Sequence, residues 1–378
     1  MSGAATATFE ARRVPASSID GELVGRWEQL VAHAAEPNPF FEPWSLQPAL
    51  QHLVDEPVEL LLVERTAPGE PTQLVGFAPV VDHRVALGAT RIRQVWTHDE
   101  CYLGTPLVDA RWLAETVACL LRALTDDAIA RIERTATSGA VGMAMLDALP
   151  ELELETVSLD RYSRAFCDTG ASKDADAYLD RSISHKHRKE LRRQFNRLSE
   201  VAGTASLERL DDPAHLDAWV EEFLALEAKG WKGAGAAMRT RPRVEAYFRD
   251  LCRRAWSAGR LQFLALRSGT KAVAMKCNLL AKPGSFAIKI CFDEDFARHS
   301  PGTHLELHNV EALYGLRDEG VLWMDSCASR RRWLVDRMWG ERRPTETLLV
   351  ARTRGLAGGL LHLLPIVIWV RRILRRDR

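Results

Sequence analysis

The sequence predicts an α/β (α+β) fold built twice over, and three observations carry that prediction. The chain has 378 residues, enough for two domains of ordinary size. Each half holds apolar stripes at helical spacing followed by a strand–turn–strand pattern. Charge also divides between the halves. Residues 1–160 carry eleven Arg, no Lys and 24 acidic residues, a net −13, and the remainder carries +13. Two attracting domains would follow, with any anionic ligand on the second; drift of surface charge is the plainer alternative.

In the first half, "GELVGRWEQLVAHA" has a helical stripe, and "NPFFEPWSLQPALQHL" opens as loop and turns helical. "VELLLVERTAPGEPTQLVGFAPVVDHRV" reads as two strands about a Pro/Gly turn. "RIRQVW" and "YLGTPLVD" read as short strands and "RWLAETVACLLRAL" as a helix. The second half repeats the plan. "DAYLDRSISHKHRKELRRQFNRLSEV" is one helical tract. "PAHLDAWVEEFLALEAKGW" is a helix ended by Gly230, and "RVEAYFRDLCRRAWSAG" is another, ended by Gly259. "LQFLALRSGTKAVAMKCNLL" is a hairpin turning at Ser268-Gly269-Thr270; "SFAIKICF" and "VLWMDSC" are further strands. The expected division is 1–160, 161–345 and an apolar, basic tail over 346–378.

Composition is that of an ordinary globular protein. Seven cysteines without CxxC or zinc spacing read as reduced thiols in a cytoplasm, and no metal site is expected. The opening "MSGAATATFEARR" lacks the apolar core of a signal peptide. The tail is apolar from Leu360 to Val370 and then basic. It is too short to span a bilayer, and reads equally as an interfacial anchor or a packed helix.

The stretch "EDFARHSPGTHLELHNVEAL" joins a strand to a helix, where backbone N–H groups are unpaired and anions bind. Gly302 would let backbone approach a ligand, and Arg298 and His299 would add charge. The plainer reading is a helix start capped by Ser300 or Thr303 with Pro301 in the first turn. Neither GxGxxG nor a P-loop occurs in the chain.

"SISHKHRKELRRQFNRL", "LEAKGWKG", "AMKCNLL", "FAIKICFDEDFARHSPGTHLELHNV" and "WMDSC", in this order, resemble the CelD/BcsL-type branch of the GNAT acetyltransferases, linked by name to cellulose biosynthesis. The resemblance covers 175–343 and reaches more weakly to "NPFFEPW" and "CYLGTPLVD". It implies two tandem GNAT-like domains, each a mixed, largely antiparallel sheet flanked by helices, the first degenerate, as in the FemAB aminoacyl transferases. It also implies acetyl-CoA or another acyl-CoA as donor. The family's pyrophosphate turn, [QR]xxGx[GA], matches Arg298–Thr303 in part: Gly302 falls four residues after Arg298 and Thr303 follows it. Arg298, His299, Ser300, Pro301, Gly302 and Thr303 are the expected donor contacts, with Lys289.

The transfer so implied needs a base and an oxyanion site. "AMKCNLL" and "FAIKICF" are the expected strands that splay apart at the thioester. Glu227, beside Trp231, is the first candidate base; a solvated helix face is its plain reading. Asp293 and Asp325, each at a strand end, are the others, Asp325 also as a holder of the acceptor amine. Lys276 and Lys289, inside apolar strands, are read as cleft-lining groups for an anionic ligand. Lys276, Trp231 and Asn278 are assigned to the acceptor. Cys277 and Cys327 read as packed thiols rather than nucleophiles.

The expected function is acyl-CoA-dependent acyl transfer, N-acetyl transfer first, to an amine or hydroxyl of a sugar, glycan precursor or small metabolite. Two alternatives stand: a FemAB-like transfer from aminoacyl-tRNA, with the basic helix at "RSISHKHRKELRRQFNR" on the tRNA, or a non-catalytic GNAT scaffold for a membrane glycan synthase. In the leading reading nucleic acid is not a partner, the protein is cytoplasmic, and the tail is a candidate for peripheral contact with the inner face of the membrane.

Overall fold

The computed structural model describes residues 7–85, 90–230, 235, 237–328, 334–355 and 358–359. The chain forms two compact units. The first comprises the chain up to Pro43, Val54–Tyr162 and the chain from Pro344; the second comprises Trp44–Leu53 and Ser163–Arg343. In chain order the elements are β1 (Thr8–Pro15), α1 (Gly21–Ala32), α2 (Pro43–His52), β2 (Glu59–Thr66), β3 (Gln73–Val85), β4 (Thr90–Val95), β5 (Leu107–Val108), α3 (Leu113–Thr125), β6 (Ile129–Thr135), α4 (Ala140–Ala148) and β7 (Leu154–Asp168). There follow α5 (Ala175–Ser182), α6 (His185–Ala202), β8 (Ala205–Arg209), α7 (Leu216–Lys229), α8 (Pro242–Ser257), β9 (Leu261–Ser268), β10 (Lys271–Ala281), β11 (Gly284–Phe292), α9 (Pro301–Gly315), β12 (Trp323–Asp325) and β13 (Glu341–Arg352).

Within the first unit β1, β2, β3 and β4 pair antiparallel in sequence order. Helix α3 then carries the chain over to β6, which lies parallel to β4, and β13 pairs antiparallel with β6. Trp27 of α1 is fully buried and stacks on Phe77 of β3 at 4.1 Å, so the amphipathic helix covers the sheet with its apolar face. Asp20 starts α1 by accepting the Leu23 amide at 2.8 Å.

The second unit has the same plan. Strands β8, β9, β10 and β11 pair antiparallel in order, α9 crosses over, β12 lies parallel to β11, and β7 pairs antiparallel with β12. Each unit is a mixed sheet flanked by helices. Phe223 of α7 packs on Phe248 of α8 and on Phe263 of β9, at ring separations of 5.3 and 5.6 Å. Helix α2, from the first half of the sequence, belongs here: Arg243 donates to the His52 carbonyl at 2.7 Å.

The structure differs from the sequence reading at three places. The helical tract 176–201 is two helices, because Ile183 is extended and buried and Ser184 caps α6 by accepting the His187 amide. Residues 346–352, grouped with the tail, complete β13, whose apolar run Leu348–Ala351 is buried. Strands β1, β6, β7 and β8 were not anticipated; β7 buries only its last third, so its apolar alternation is faint. The tail run 360–370 lies outside the described residues. Among those described, no helix is long and apolar enough to cross a membrane.

Candidate active site

Two interruptions in the second sheet fall within two residues of each other. On one side of β11, Cys277 faces Lys289 and Asn278 faces Ala287, so Ile288 is an extra residue, a β-bulge. On the other side, β11 pairs with β12 only through Gly284–Trp323, Ser285–Met324 and Phe286–Asp325. Strand β11 runs on to Phe292, whereas β12 stops. The Ser326 amide turns to the Ala165 carbonyl at 3.1 Å, and Cys327 takes a left-handed φ of 53°. Backbone groups at Ile288 are thus released from a regular ladder on the β10 side and lie beyond the last rung on the β12 side.

This corrects one expectation. "AMKCNLL" and "FAIKICF", strands β10 and β11, stay paired from Ala281–Gly284 to Ala274–Phe292. A tight turn at Lys282-Pro283 joins them and holds their register. The strands that part are β11 and β12, which are joined through a whole helix and have no turn to hold them together.

Beyond Phe292 the chain does not run straight into a helix. A 3-10 helix, Glu294–His299, intervenes, and Asp293 starts it by accepting the Asp295 amide at 3.2 Å. Ser300 then adopts a left-handed conformation, φ 52°, ψ 47°. Its hydroxyl caps nothing; its carbonyl accepts from the Thr303 amide at 2.9 Å and the His304 amide at 3.2 Å. With Pro301 first in α9 and no acid in the first turn, this helix start keeps its partial positive charge. Gly302 is buried, and a Cβ there would meet the Phe292 ring at 3.3 Å. Its missing side chain lets α9 close on β11.

His299 is buried and accepts from Arg298 Nε at 3.0 Å. Burial, with the charges of Arg298 and Arg197, pushes its pKa down, so it is neutral. His304, one turn into α9, is 5 % exposed, packs edge-on to Phe195 at 5.2 Å, and leaves Nε2 buried without a hydrogen-bond partner among the described residues. Burial lowers it from 6.5 to about 4.

The three candidate carboxylates are in different states. Asp293 is fully buried and accepts from Lys229 at 2.8 Å and Lys271 at 2.7 Å. Burial raises its pKa, but the bonds from Lys229 and Lys271 outweigh that and hold it below the usual carboxylate range. Asp325 is also fully buried rather than facing an open cleft. Arg164 reaches it at 2.6 and 2.7 Å, Arg343 at 3.0 Å, and the Cys327 amide donates to it at 2.9 Å. Burial pushes this carboxyl up, and the two guanidinium charges hold it below the usual range. Both are committed anions and poor proton acceptors at neutral pH. Glu227, 3 % exposed on the last turn of α7, accepts the Met238 amide at 2.9 Å. Trp231, its expected neighbour, lies outside the described residues.

Lys276 is not an open cleft cation. It is 2 % exposed and donates to Glu306 of α9, itself 1 % exposed, at 2.5 Å. Asn309 donates to the same carboxylate at 3.2 Å; Asn278 donates to Asn309 at 2.7 Å and to Gln262 at 2.8 Å. Lys276 and Asn278, assigned to the acceptor, are thus members of a buried network between β10 and α9. Lys289 is half-buried on β11 opposite Cys277. Cys277 is fully buried, and burial raises Cys327 far above a reactive thiol. Sequence reasoning missed Arg164 and Arg343, which come from distant segments, and the bulge, which leaves no mark in composition. Glu306 and Asn309 were findable: they are polar, three residues apart, on the apolar side of "HLELHNVEAL".

The first unit parts its parallel strands in the same way and fills the gap itself. Strands β4 and β6 pair through Ile92–Ile129, Arg93–Ala130 and Gln94–Arg131. Beside the rest of β6 lies the chain's own loop: Thr97 donates to Glu133 at 3.3 Å, and a Cβ on Gly104 would meet the Glu133 carbonyl at 2.2 Å. Arg134, with φ 51°, donates to the carbonyls of His98, at 2.9 Å, and Cys101.

Residues 185–333 match the family described as "Acetyltransferase (GNAT) domain". No curated protein matches the chain. Among solved structures, the crystal structure of FemX superposes with a TM-score of 0.59 at 12 % identity, covering 93 % of this chain and 99 % of that one. A conserved protein of unknown function from Bacteroides thetaiotaomicron VPI-5482 gives 0.53 at 10 % identity, covering 86 % and 97 %. A tandem GNAT protein from the clavulanic acid biosynthesis pathway gives 0.44 at 15 % identity, covering 92 % and 99 %. Residues 185–333 thus match a GNAT acetyltransferase domain, and the chain shares a fold with FemX.

Two outcomes follow. Lys276→Met leaves Glu306 buried without its counter-charge and costs about 3–5 kcal/mol in urea unfolding, while Lys276→Met with Glu306→Met recovers most of that loss. His304 is neutral in the folded chain, so its stabilising contribution is complete above pH 6.5 and is lost as pH falls toward 4. Unfolding at pH 5 should show about 2 kcal/mol less stability from this group, and His304→Gln should flatten that part of the profile.

Proposed function

We propose that the second unit transfers an acyl group from acyl-CoA, acetyl-CoA first, to an amine or hydroxyl acceptor. The observation that carries this reading is the bulge at Ile288 falling where β12 leaves β11, with an uncompensated helix N-terminus at the end of the same strand. Released backbone groups suit a thioester carbonyl, since a preorganised N–H placed where negative charge develops lowers the barrier without reorganisation. The α9 N-terminus, with Arg298 beside it, suits a diphosphate. The thioester supplies an activated carbonyl, and the chain binds, orients and removes a proton. Glu227 is assigned as base because Asp293 and Asp325 are each held as anions by two cations. The self-filled gap in the first unit supports a single donor site per chain.

The acceptor in this reading is a sugar, a glycan precursor or a small metabolite, and the CelD/BcsL branch and polysaccharide biosynthesis belong to the same proposal. The fold shared with FemX favours a second reading, transfer from aminoacyl-tRNA as the FemAB resemblance implies. Calorimetry separates them. Acetyl-CoA should bind one per chain, and Glu227→Gln should keep that affinity while turnover falls by roughly 10²–10⁴. An absence of acetyl-CoA binding with salt-dependent binding of aminoacyl-tRNA would reverse the choice. Binding of neither would leave the non-catalytic scaffold.

A further inference from the structure

We propose that the outward face of α6 docks the protein on an anionic lipid surface. This helix lies outside the four antiparallel strands, crossover helix and parallel strand that repeat in each unit. Leu191 and Leu198 are buried, and Phe195 and Leu198 join the core cluster of Leu264, Leu266, Val273 and Leu305. At 3.6 residues per turn, Lys186, Lys189, Arg193 and Arg197 fall on the opposite side of the helix. All four are exposed, and Arg192 beside them is exposed too.

The basic residues of α6 are not alike. Arg188 is engaged by Asp176 at 2.7 Å and by Asp180 of α5. Arg193 lies 3.6 Å from Glu190. Lys186, Lys189, Arg192 and Arg197 have no ion pair with any described residue. The row Lys189, Arg193, Arg197 repeats like charge at every fourth residue, which costs an isolated helix about 0.2–0.5 kcal/mol per pair. A surface of opposite charge relieves that repulsion. Lys186 to Arg197 spans about 16 Å, too long for one phosphate and suited to several anionic headgroups. Val201, 57 % exposed, continues the row with an apolar side chain.

The choice of lipid over nucleic acid rests on two further points. Phe195, the only Phe, Tyr or Trp of α6, is turned into the core, so the row of basic residues presents no large aromatic ring for a base to stack on. The sequence also carries the apolar run 360–370 followed by Arg371, Arg372, Arg375, Arg376 and Arg378. A basic patch together with an apolar segment is what stable peripheral attachment requires. The inference does not depend on the identity of the donor.

Flotation of the full chain with vesicles tests it. With about 30 mol % phosphatidylglycerol in phosphatidylcholine the protein should float with the vesicles, less so as salt rises, and it should not float with phosphatidylcholine alone. Replacing Lys186, Lys189, Arg192 and Arg193, none of which acts on the α9 turn, together by Gln should weaken this partition by roughly a thousand-fold. Circular dichroism and acetyl-CoA affinity should stay unchanged, which separates failure of docking from failure of the donor site. Equal partition on neutral and anionic vesicles, or undiminished partition of the quadruple variant, overturns the proposal. So does salt-sensitive binding to a tRNA or duplex RNA probe with none to vesicles, which would give this face to nucleic acid.

Discussion

The candidate site depends on where β12 stops. Asp325, the last residue of that strand, is fully buried with two guanidinium groups and a backbone amide on its oxygens. Removing one cation would leave a buried charge short of a partner, so this cluster fixes the end of the strand firmly. Its partners are Arg164 on β7 and Arg343 on β13, segments far apart in sequence. The left-handed Cys327 then takes the chain away, and β11 continues alone past Ile288. The groups that interrupt the ladder are structural; the chemistry assigned to the gap belongs to backbone and to what binds there.

The same constraint explains why charged residues inside this unit are poor guides to function. Lys276, Asn278, Asp293 and Asp325 attract notice because they stand in or at the ends of apolar strands. Each is answered by a specific partner: Glu306, Asn309 with Gln262, Lys229 with Lys271, and Arg164 with Arg343. A buried charge must be paired or neutralised, and a residue type shows the need without showing the partner. That is why Lys276 reads from sequence as a ligand group and from structure as half of an ion pair.

Much of the fold was legible because helices α1, α3, α7 and α8 have strong apolar stripes, and the hairpins β2–β3 and β9–β10 have Gly-containing turns. The pyrophosphate-like turn was legible as a strand-to-helix junction, but not the 3-10 helix inside it, which depends on Asp293 and a left-handed Ser300. The parting strands were assigned to the wrong pair. Local pattern shows that β10 and β11 are neighbours; it does not show that β12, three residues long, lies beside β11 and leaves it. The bulge at Ile288 and the α5–α6 break were illegible for the same reason: each is settled by tertiary contacts.

The proposed donor site is a single one, along β11 between Ile288 and the start of α9. Amide hydrogen exchange with and without acetyl-CoA tests it most directly. Exchange should slow in segments 286–292 and 300–306, with no change in 97–104 of the first unit. Slowed exchange confined to the first unit, or none in 286–292 at a saturating donor concentration, would contradict it.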